Sequence, residues 1–520
     1  MKQIKVYDTT LRDGTQMEGV SLTVLDKLAI TERLDWLGVH YVEGGFPVSN
    51  PKDEEFFRRA KDLKLKNARV AAFGMTRRAK NSAAEDATLA AMLASGAPVL
   101  TVVGKSWDFH VTEVLRVSLD ENLAMIADSV RFLKSAGREV IFDAEHFFDG
   151  YKDNPEYALK TLEAAADAGV DWLVPCDTNG GCLPDQISSI MKAITARTKT
   201  PVGIHCHNDG GVAVANTLAA VAGGATMVQG TINGIGERCG NADLTSIVAN
   251  LDIKMGCRCL APEDLKKLTE VARYVWEVIN FQTPNNQPFV GPSAFSHKGG
   301  MHVHAVARDT RTYEHIPPET VGNERHILIS ELSGASNIDA KLRQMGFGVD
   351  KDLTHKILNK VQDLENEGYH FEAADGSFAL LVRKVAGTYK KFFDLEGFRV
   401  VIMRDRDGKP VSEAIVKLSV GDIKRHTAAE GDGPVNAFDW ALRKALEDIY
   451  PRLREVQLVD YKVRVVNPKA ATAAKVRVII ESKDGEDHWG TIGVSENIIE
   501  ASYEALADSI EYKLMKDEGK

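Results

Sequence analysis

The first half of the chain repeats one unit. Short apolar, β-branched runs alternate with Ala- and Leu-rich segments such as DKLAITERLDWLGV and EYALKTLEAAADAGV. The runs are IKVYDTT (4–10), YVEGGFP (41–47), RVAAFG (69–74), VLTVVGK (99–105), EVIFDAEHF (139–147), WLVPCDTN (172–179), PVGIHCHND (201–209) and MVQGTINGIG (227–236). The runs predict strands and the segments between them predict helices, with Gly38, Gly96, Gly137 and Gly169 placed as C-caps. Eight such units in succession predict a closed (β/α)8 TIM barrel over residues 1–270, of class α/β. An open doubly wound sheet is the alternative. Its glycine-rich turn belongs after the first strand, and the only similar stretch here, GTINGIGERCG, follows the last.

Past the barrel the pattern changes. A helical stretch (262–280) leads to FQTPNNQPFVGPS, which reads as a linker, and residues 271–385 are expected to form mainly helical linker subdomains. Residues 386–520 predict a separate α+β domain. There FRVVIMRD, SEAIVKLSV and DIKRHTAAE precede the helix NAFDWALRKALEDIY, and DYKVRVV, AAKVRVIIES and DHWGTIGV precede NIIEASYEALADSIEYKL. Three strands and a helix, twice, is an internal βββα repeat.

A barrel gathers its chemistry at the C-terminal ends of its strands. Polar residues fall at those ends here: Arg12 and Asp13 after strand 1, Glu43 in strand 2, Glu145 and His146 at the end of strand 5, and Asp177 and Thr178 at the end of strand 6. His205 and His207 end strand 7, and Glu237 to Asn241 follow strand 8. A period of two puts His205 and His207 on one face and Cys206 on the other. The pair alone reads equally as a metal clamp or as two hydrogen-bonded core histidines. Asp13 is the carboxylate that would complete an N/O set for a divalent ion, and Asn241 offers an amide oxygen. RDG is also a turn sequence, with Gly14 expected to supply positive φ. Arg12 and Glu43 are expected to pair inside the mouth, in a structural or a catalytic role. If Glu145 points inward, His146 points outward.

Composition narrows the reading. The chain is 44% hydrophobic and 27% charged with a formal net charge of −10, which leaves no basic stripe for nucleic acid. No apolar run approaches a membrane span, and MKQIKVYDTT starts as a strand with no secretory apolar region. A cytoplasmic protein is expected. Six cysteines without CxxC spacing read as free thiols.

YDTTLRDGTQ, YVEGGFP, HCHNDGG and NGIGERCGNADL, in that order, resemble the TIM-barrel metal-dependent acyl-CoA condensing enzymes. These are the 2-isopropylmalate, homocitrate and citramalate synthases. The resemblance implies divalent-metal ligands Asp13, His205 and His207 with Asn241 as a further one. The metal (Mn2+, Mg2+ or Zn2+) is not specified. It assigns Arg12 and Thr178 to a 2-oxo acid, with Glu43 beside them, and Glu145 to the place of the acetyl group of acetyl-CoA. SHKGGMH (296–302) resembles the segment that delivers a catalytic histidine, matching His302. The family usually reads HxDG after it and this chain reads HVHA, which leaves His304 without a family role.

LRDGTQMEG and EGGFPVSNPKDEEFFRRAK lean toward members that use pyruvate rather than 2-oxoisovalerate. Phe73, Trp107 and Phe109 are candidates for closing a pocket around one methyl group. The C-terminal region resembles the family's regulatory domain, which implies a homodimer and an isoleucine effector; a ligand-free dimerisation domain is the plainer reading. A barrel that binds small molecules without turnover is the alternative from another class.

Overall fold

The computed structural model describes residues 1–47, 50–329, 335–348, 350–404, 407–466, 474–485 and 487–518. They form two compact units, Met1–Phe295 with Ile316–Glu324, and Ser296–His315 with Arg325–Lys520. No helix among the described residues is long and apolar enough to cross a membrane.

In the first unit eight parallel strands close a barrel. They are β1 (Lys5–Asp8), β2 (Tyr41–Gly45), β3 (Arg69–Met75), β4 (Val99–Lys105), β5 (Glu139–Glu145), β6 (Trp172–Asp177), β7 (His205–Cys206) and β8 (Met227–Gly230). Closure is direct, because Lys5 through Asp8 pair in parallel register with Met227 through Gly230. The helices that follow them are α1 (Val24–Leu37), α2 (Pro51–Ala60), α3 (Ala87–Ala94), α4 (Leu119–Ser135), α5 (Pro155–Asp167), α6 (Pro184–Thr195), α7 (Ala213–Ala222) and α8 (Leu244–Ile253).

Alternation along each strand separates two cores. Val6, Val42, Val70 and Val228 face outward onto the helices, while Tyr7, Tyr41, Ala71, Val99, Ile141 and Met227 fill the barrel. Two residues further along each inward row come Thr9, Glu43, Phe73, Thr101, Asp143 and Gln229. The apolar plug therefore gives way to polar groups at the C-terminal mouth.

Three local differences from the sequence expectation have physical causes. The run 201–209 holds only a two-residue strand, because His207 leaves the parallel sheet and bridges antiparallel to Asn241. The backbone at His146 turns to φ 56° and opens the short helix Phe147–Asp153, so strand alternation no longer sets its direction. The segment 281–293 packs onto the barrel: Phe289 and Val290 are buried. Gln287 is clasped there, accepting from Trp276 Nε1 and donating to Asn233 Oδ1, both at 2.9 Å.

In the second unit, helices Ala335–Gln344, Lys351–Glu367 and Asp375–Ala386 surround a core containing Ile338, Ile357 and Phe378. Then come β9 (Asp394–Arg404), β10 (Pro410–Val420), β11 (Ile423–Gly431) and α9 (Pro434–Leu446), followed by β12 (Gln457–Val465), β13 (Val476–Lys483), β14 (His488–Ser495) and α10 (Ile498–Glu518). Each trio is an antiparallel sheet, and the expected βββα repeat is present twice.

Candidate active site

The chain leaves β1 in a tight turn. The backbone N–H groups of Asp13 and Gly14 both donate to Thr9 O, at 2.9 and 3.1 Å, which folds Arg12 and Asp13 back over the mouth. Gly14 is favoured for a different reason than expected. Its φ is not positive, but a Cβ there would meet Ile235 Cγ1 at 3.0 Å.

Asp13, His205 and His207 converge, and all three are buried. His205 Nε2 lies 3.4 Å from Asp13 Oδ2 and 3.3 Å from His207 Nε2. The antiparallel bridge between His207 and Asn241 brings the amide to the same place. The glycines of NGIGERCGN make that approach possible: at Gly236, with φ 152°, a Cβ would stand 2.2 Å from Asn241 Nδ2. The same stretch folds back on itself where Gly240 meets the Gly234 carbonyl.

Burial lowers the proton affinity of both imidazoles, pushing His207 down to about 3 and His205 below its ordinary value. Burial would raise Asp13, but Arg12 and the two histidines outweigh it and hold the carboxylate below its usual range. Neutral imidazoles facing an ionised carboxylate are the donor set a divalent cation takes. His207 Nδ1 and Asn241 Oδ1 are buried without a hydrogen-bond partner among the described residues. The residues fit a metal ion.

Arg12 borders this cluster, its Nη1 3.2 Å from Asp13 Oδ2. The guanidinium lies over Phe73, 3.9 Å from the ring centroid. Glu43 sits beneath with no exposed surface. It accepts from Arg12 Nε at 2.6 Å, Thr9 Oγ1 at 2.7 Å and Tyr7 OH at 2.6 Å, so its oxygens are committed to the protein. Burial disfavours the charge on Arg12, yet Asp13 and Glu43 more than compensate and hold it protonated. Beside Arg12 and Phe73 opens a cavity of about 570 Å³, also lined by Gln16, Leu22 and Phe46.

Glu145 ends β5 and pairs with Lys105 Nζ at 2.5 Å. Thr178 directly follows β6; its Oγ1 accepts from the His146 N–H at 2.9 Å, and its carbonyl accepts from Arg238 Nη2 at 2.7 Å. Both stand on the rim, outside the Asp13–His205–His207 triangle. His302 belongs to the second unit, where its ring stacks on Tyr313 at 4.0 Å. Trp107 and Phe109 pack together with His110, whose ring lies 4.2 Å from that of His146. Cys206 is fully buried in the outer core, and all six cysteines are free.

Sequence reasoning passed over Tyr7, Thr9, Asp143 and Gln229. Period two was the available signal for each: Thr9 follows Tyr7 of β1, Asp143 falls between Ile141 and Glu145 on β5, and Gln229 follows Met227 on β8. Burial, with Glu43 close by, pushes Asp143 up to about 8.

Residues 3–275 match the HMGL-like family, residues 289–369 the homocitrate synthase post-HMGL domain-like family, and residues 372–514 the LeuA allosteric (dimerisation) domain. The (R)-citramalate synthase of Aquifex aeolicus is 55% identical over 521 residues, covering 99% of this chain and 99% of its own. That of Geobacter sulfurreducens is 53% identical, covering 100% and 99%. A 2-isopropylmalate synthase from Methanocaldococcus jannaschii is 32% identical, covering 99% and 96%.

Proposed function

We infer, for a chain that belongs to the HMGL-like family and within it to the (R)-citramalate synthases, that it condenses acetyl-CoA with pyruvate and hydrolyses the thioester to give (R)-citramalate and CoA. The observation that carries the reading is the coincidence of a full-length match at 55% identity with a converged Asp13, His205 and His207. The chain is an acyltransferase of the condensing type.

A divalent metal held by Asp13, His205 and His207, with Asn241 Oδ1 as a further donor, would supply Lewis acidity toward the carbonyl and carboxylate oxygens of the 2-oxo acid. Arg12 donates to the ketone oxygen as negative charge develops there. Glu43 acts through Arg12, holding the guanidinium in one orientation. The Thr178 hydroxyl, which accepts from the His146 N–H, has its own proton to donate to the substrate carboxylate. The proton taken from the acetyl methyl goes to a base, which is Glu145, His302 or a bound water. Phe73, stacked on Arg12, supports a pocket that closes around a methyl group.

The match to the LeuA allosteric (dimerisation) domain supports a dimer under allosteric control, and the effector of this reading is isoleucine, end product of the pathway the reaction would feed. Free cysteines suit the reducing cytoplasm. The test is thiol release from acetyl-CoA with pyruvate, 2-oxoisovalerate and other 2-oxo acids in parallel. Pyruvate is expected to give the highest kcat/KM. Preference for 2-oxoisovalerate makes the chain a 2-isopropylmalate synthase, and no release with any acid makes it a binding protein.

A further inference from the structure

The Asp13–His205–His207 cluster holds two electron-pair donors face to face, His205 Nε2 and Asp13 Oδ2, 3.4 Å apart. Which nitrogen of His205 carries the proton decides whether that geometry binds a cation. If the proton were on Nε2, the imidazole would donate to Asp13 and close the site. If it is on Nδ1, the Nε2 lone pair points into the cluster.

The other side of the ring settles the choice. His205 Nδ1 lies 3.0 Å from Gln229 Oε1, and Gln229 Nε2 donates to Asp143 Oδ1 at 3.0 Å. An amide presents an oxygen at one end and a nitrogen at the other, so whatever pins one end fixes the other. The Gln229 amide nitrogen faces Asp143 Oδ1, which accepts whether the carboxyl is ionised or carries its proton on Oδ2, and the amide oxygen therefore faces His205. An oxygen that only accepts requires the proton on Nδ1.

Three strands make this arrangement rigid. His205 and Gln229 are register partners on β7 and β8, the Gln229 backbone N–H donates to Ile204 O at 2.9 Å, and Asp143 sits on the inward row of β5. Gln229 has no exposed surface and Asp143 almost none, at 0% and 3%. Water has little access to substitute for either partner.

We propose that Asp143 and Gln229 are positioning residues for the metal: through the Asp143–Gln229–His205 chain they lock the tautomer that leaves His205 Nε2 as a ligand. Neither side chain touches the ion or the substrate. The proposal rests on the metal reading above. Partners behind a ligating histidine contribute on the order of 10- to 100-fold in metal affinity.

The test is Mn2+ binding to the full chain, followed by the free-ion electron paramagnetic resonance signal, with folding checked by circular dichroism. Gln229→Met keeps the volume and removes the acceptor; its affinity is expected to fall about 10- to 100-fold. Gln229→Glu keeps an acceptor facing Nδ1 and is expected to stay nearer to wild type than the methionine variant. Asp143→Leu, which removes the pin on the amide, is expected to fall between the two. A Gln229→Met protein that is folded and binds Mn2+ as tightly as wild type overturns the proposal while leaving the metal site standing. So does equal weakening in Gln229→Met and Gln229→Glu, which marks packing and not proton placement. Should Gln229→Met not fold, the glutamate and Asp143→Leu variants decide the matter by the same ordering. Wild type that takes up no Mn2+, like Asp13→Ala, overturns the metal reading and this proposal with it.

Discussion

Arg12 and Glu43 meet in a charge-assisted hydrogen bond of 2.6 Å, with the carboxylate wholly buried beneath the guanidinium. Tyr7 and Thr9 occupy the remaining lone pairs of Glu43 that face them. The pair holds Arg12 between Asp13 on one side and the Phe73 ring below.

Glu43→Gln keeps the shape and loses the charge. The folded protein is expected to lose about 100-fold in kcat, the scale set by a misplaced catalytic group, with little change in the pyruvate KM. Glu43→Ala leaves a buried guanidinium one partner short and is expected to cost about 3–5 kcal/mol of stability. Steady-state kinetics and chemical denaturation check the two, and a Glu43→Gln enzyme with wild-type kcat would remove the orienting role.

Arg12→Lys is not conservative at this position. An ammonium cannot both stack on Phe73 and donate to Glu43 through a planar edge. A loss of about 100- to 1,000-fold in kcat/KM is expected, measured by CoA release, while the melting temperature moves far less than in Glu43→Ala.

A cation bound by the folded state alone stabilises it by mass action. Mn2+ at about 100 times its Kd is expected to add about 2.7 kcal/mol, seen as a higher melting temperature. His207→Ala is expected to show no such rise, and a chelator is expected to abolish CoA release by the wild type. Equal shifts in the two proteins would place the cation elsewhere.

Asp8 has a pH signature of its own. Its carboxyl accepts from the Thr10 N–H and hydroxyl at 2.9 and 2.8 Å, and burial pushes it up to about 7 from an ordinary 3.8. Between those values the folded chain holds a proton that the unfolded chain has lost. The stability this proton provides is full below about pH 4 and is lost as pH rises through about 7. Asp8→Asn cannot ionise, so its stability relative to wild type is expected to improve from about pH 5 to about pH 8. Denaturation curves at both pH values measure it, and a constant difference would refute the assignment.

In the second unit, Lys513 is buried in α10 with its ammonium 2.9 Å from Asp484, 3.0 Å from Glu455 and 3.2 Å from Asp517. Lys513→Met takes the nearest cation from the buried Asp484 and is expected to cost that unit about 3–5 kcal/mol. Hydrogen exchange should localise the loosening to β12–β14 and α10. Unchanged protection there would show that the other lysines, Lys516 among them, suffice.

Much of this protein is legible in its residues alone. Periods of 2 and 3.6 are local consequences of backbone geometry, so eight strands with their helices, and βββα twice, follow from the order of apolar positions. The same periodicity places His205 and His207 together and turns Cys206 into the outer wall. Tertiary structure decided what depends on distant segments meeting. Closure of β1 on β8 brings Asp13 to the histidines, and the close pass of Gly236 brings Asn241 beside His207. Gly14 serves van der Waals contact with Ile235, a residue more than two hundred positions away, where its neighbours suggested a turn. The sequence predicts the pairing of Glu43 with Arg12, and the folded chain adds Tyr7 and Thr9, which commit the carboxylate to the protein. Gln229 and Asp143 carry no motif at all. Their significance is a pair of hydrogen bonds across three strands, and only a closed barrel brings those strands into register.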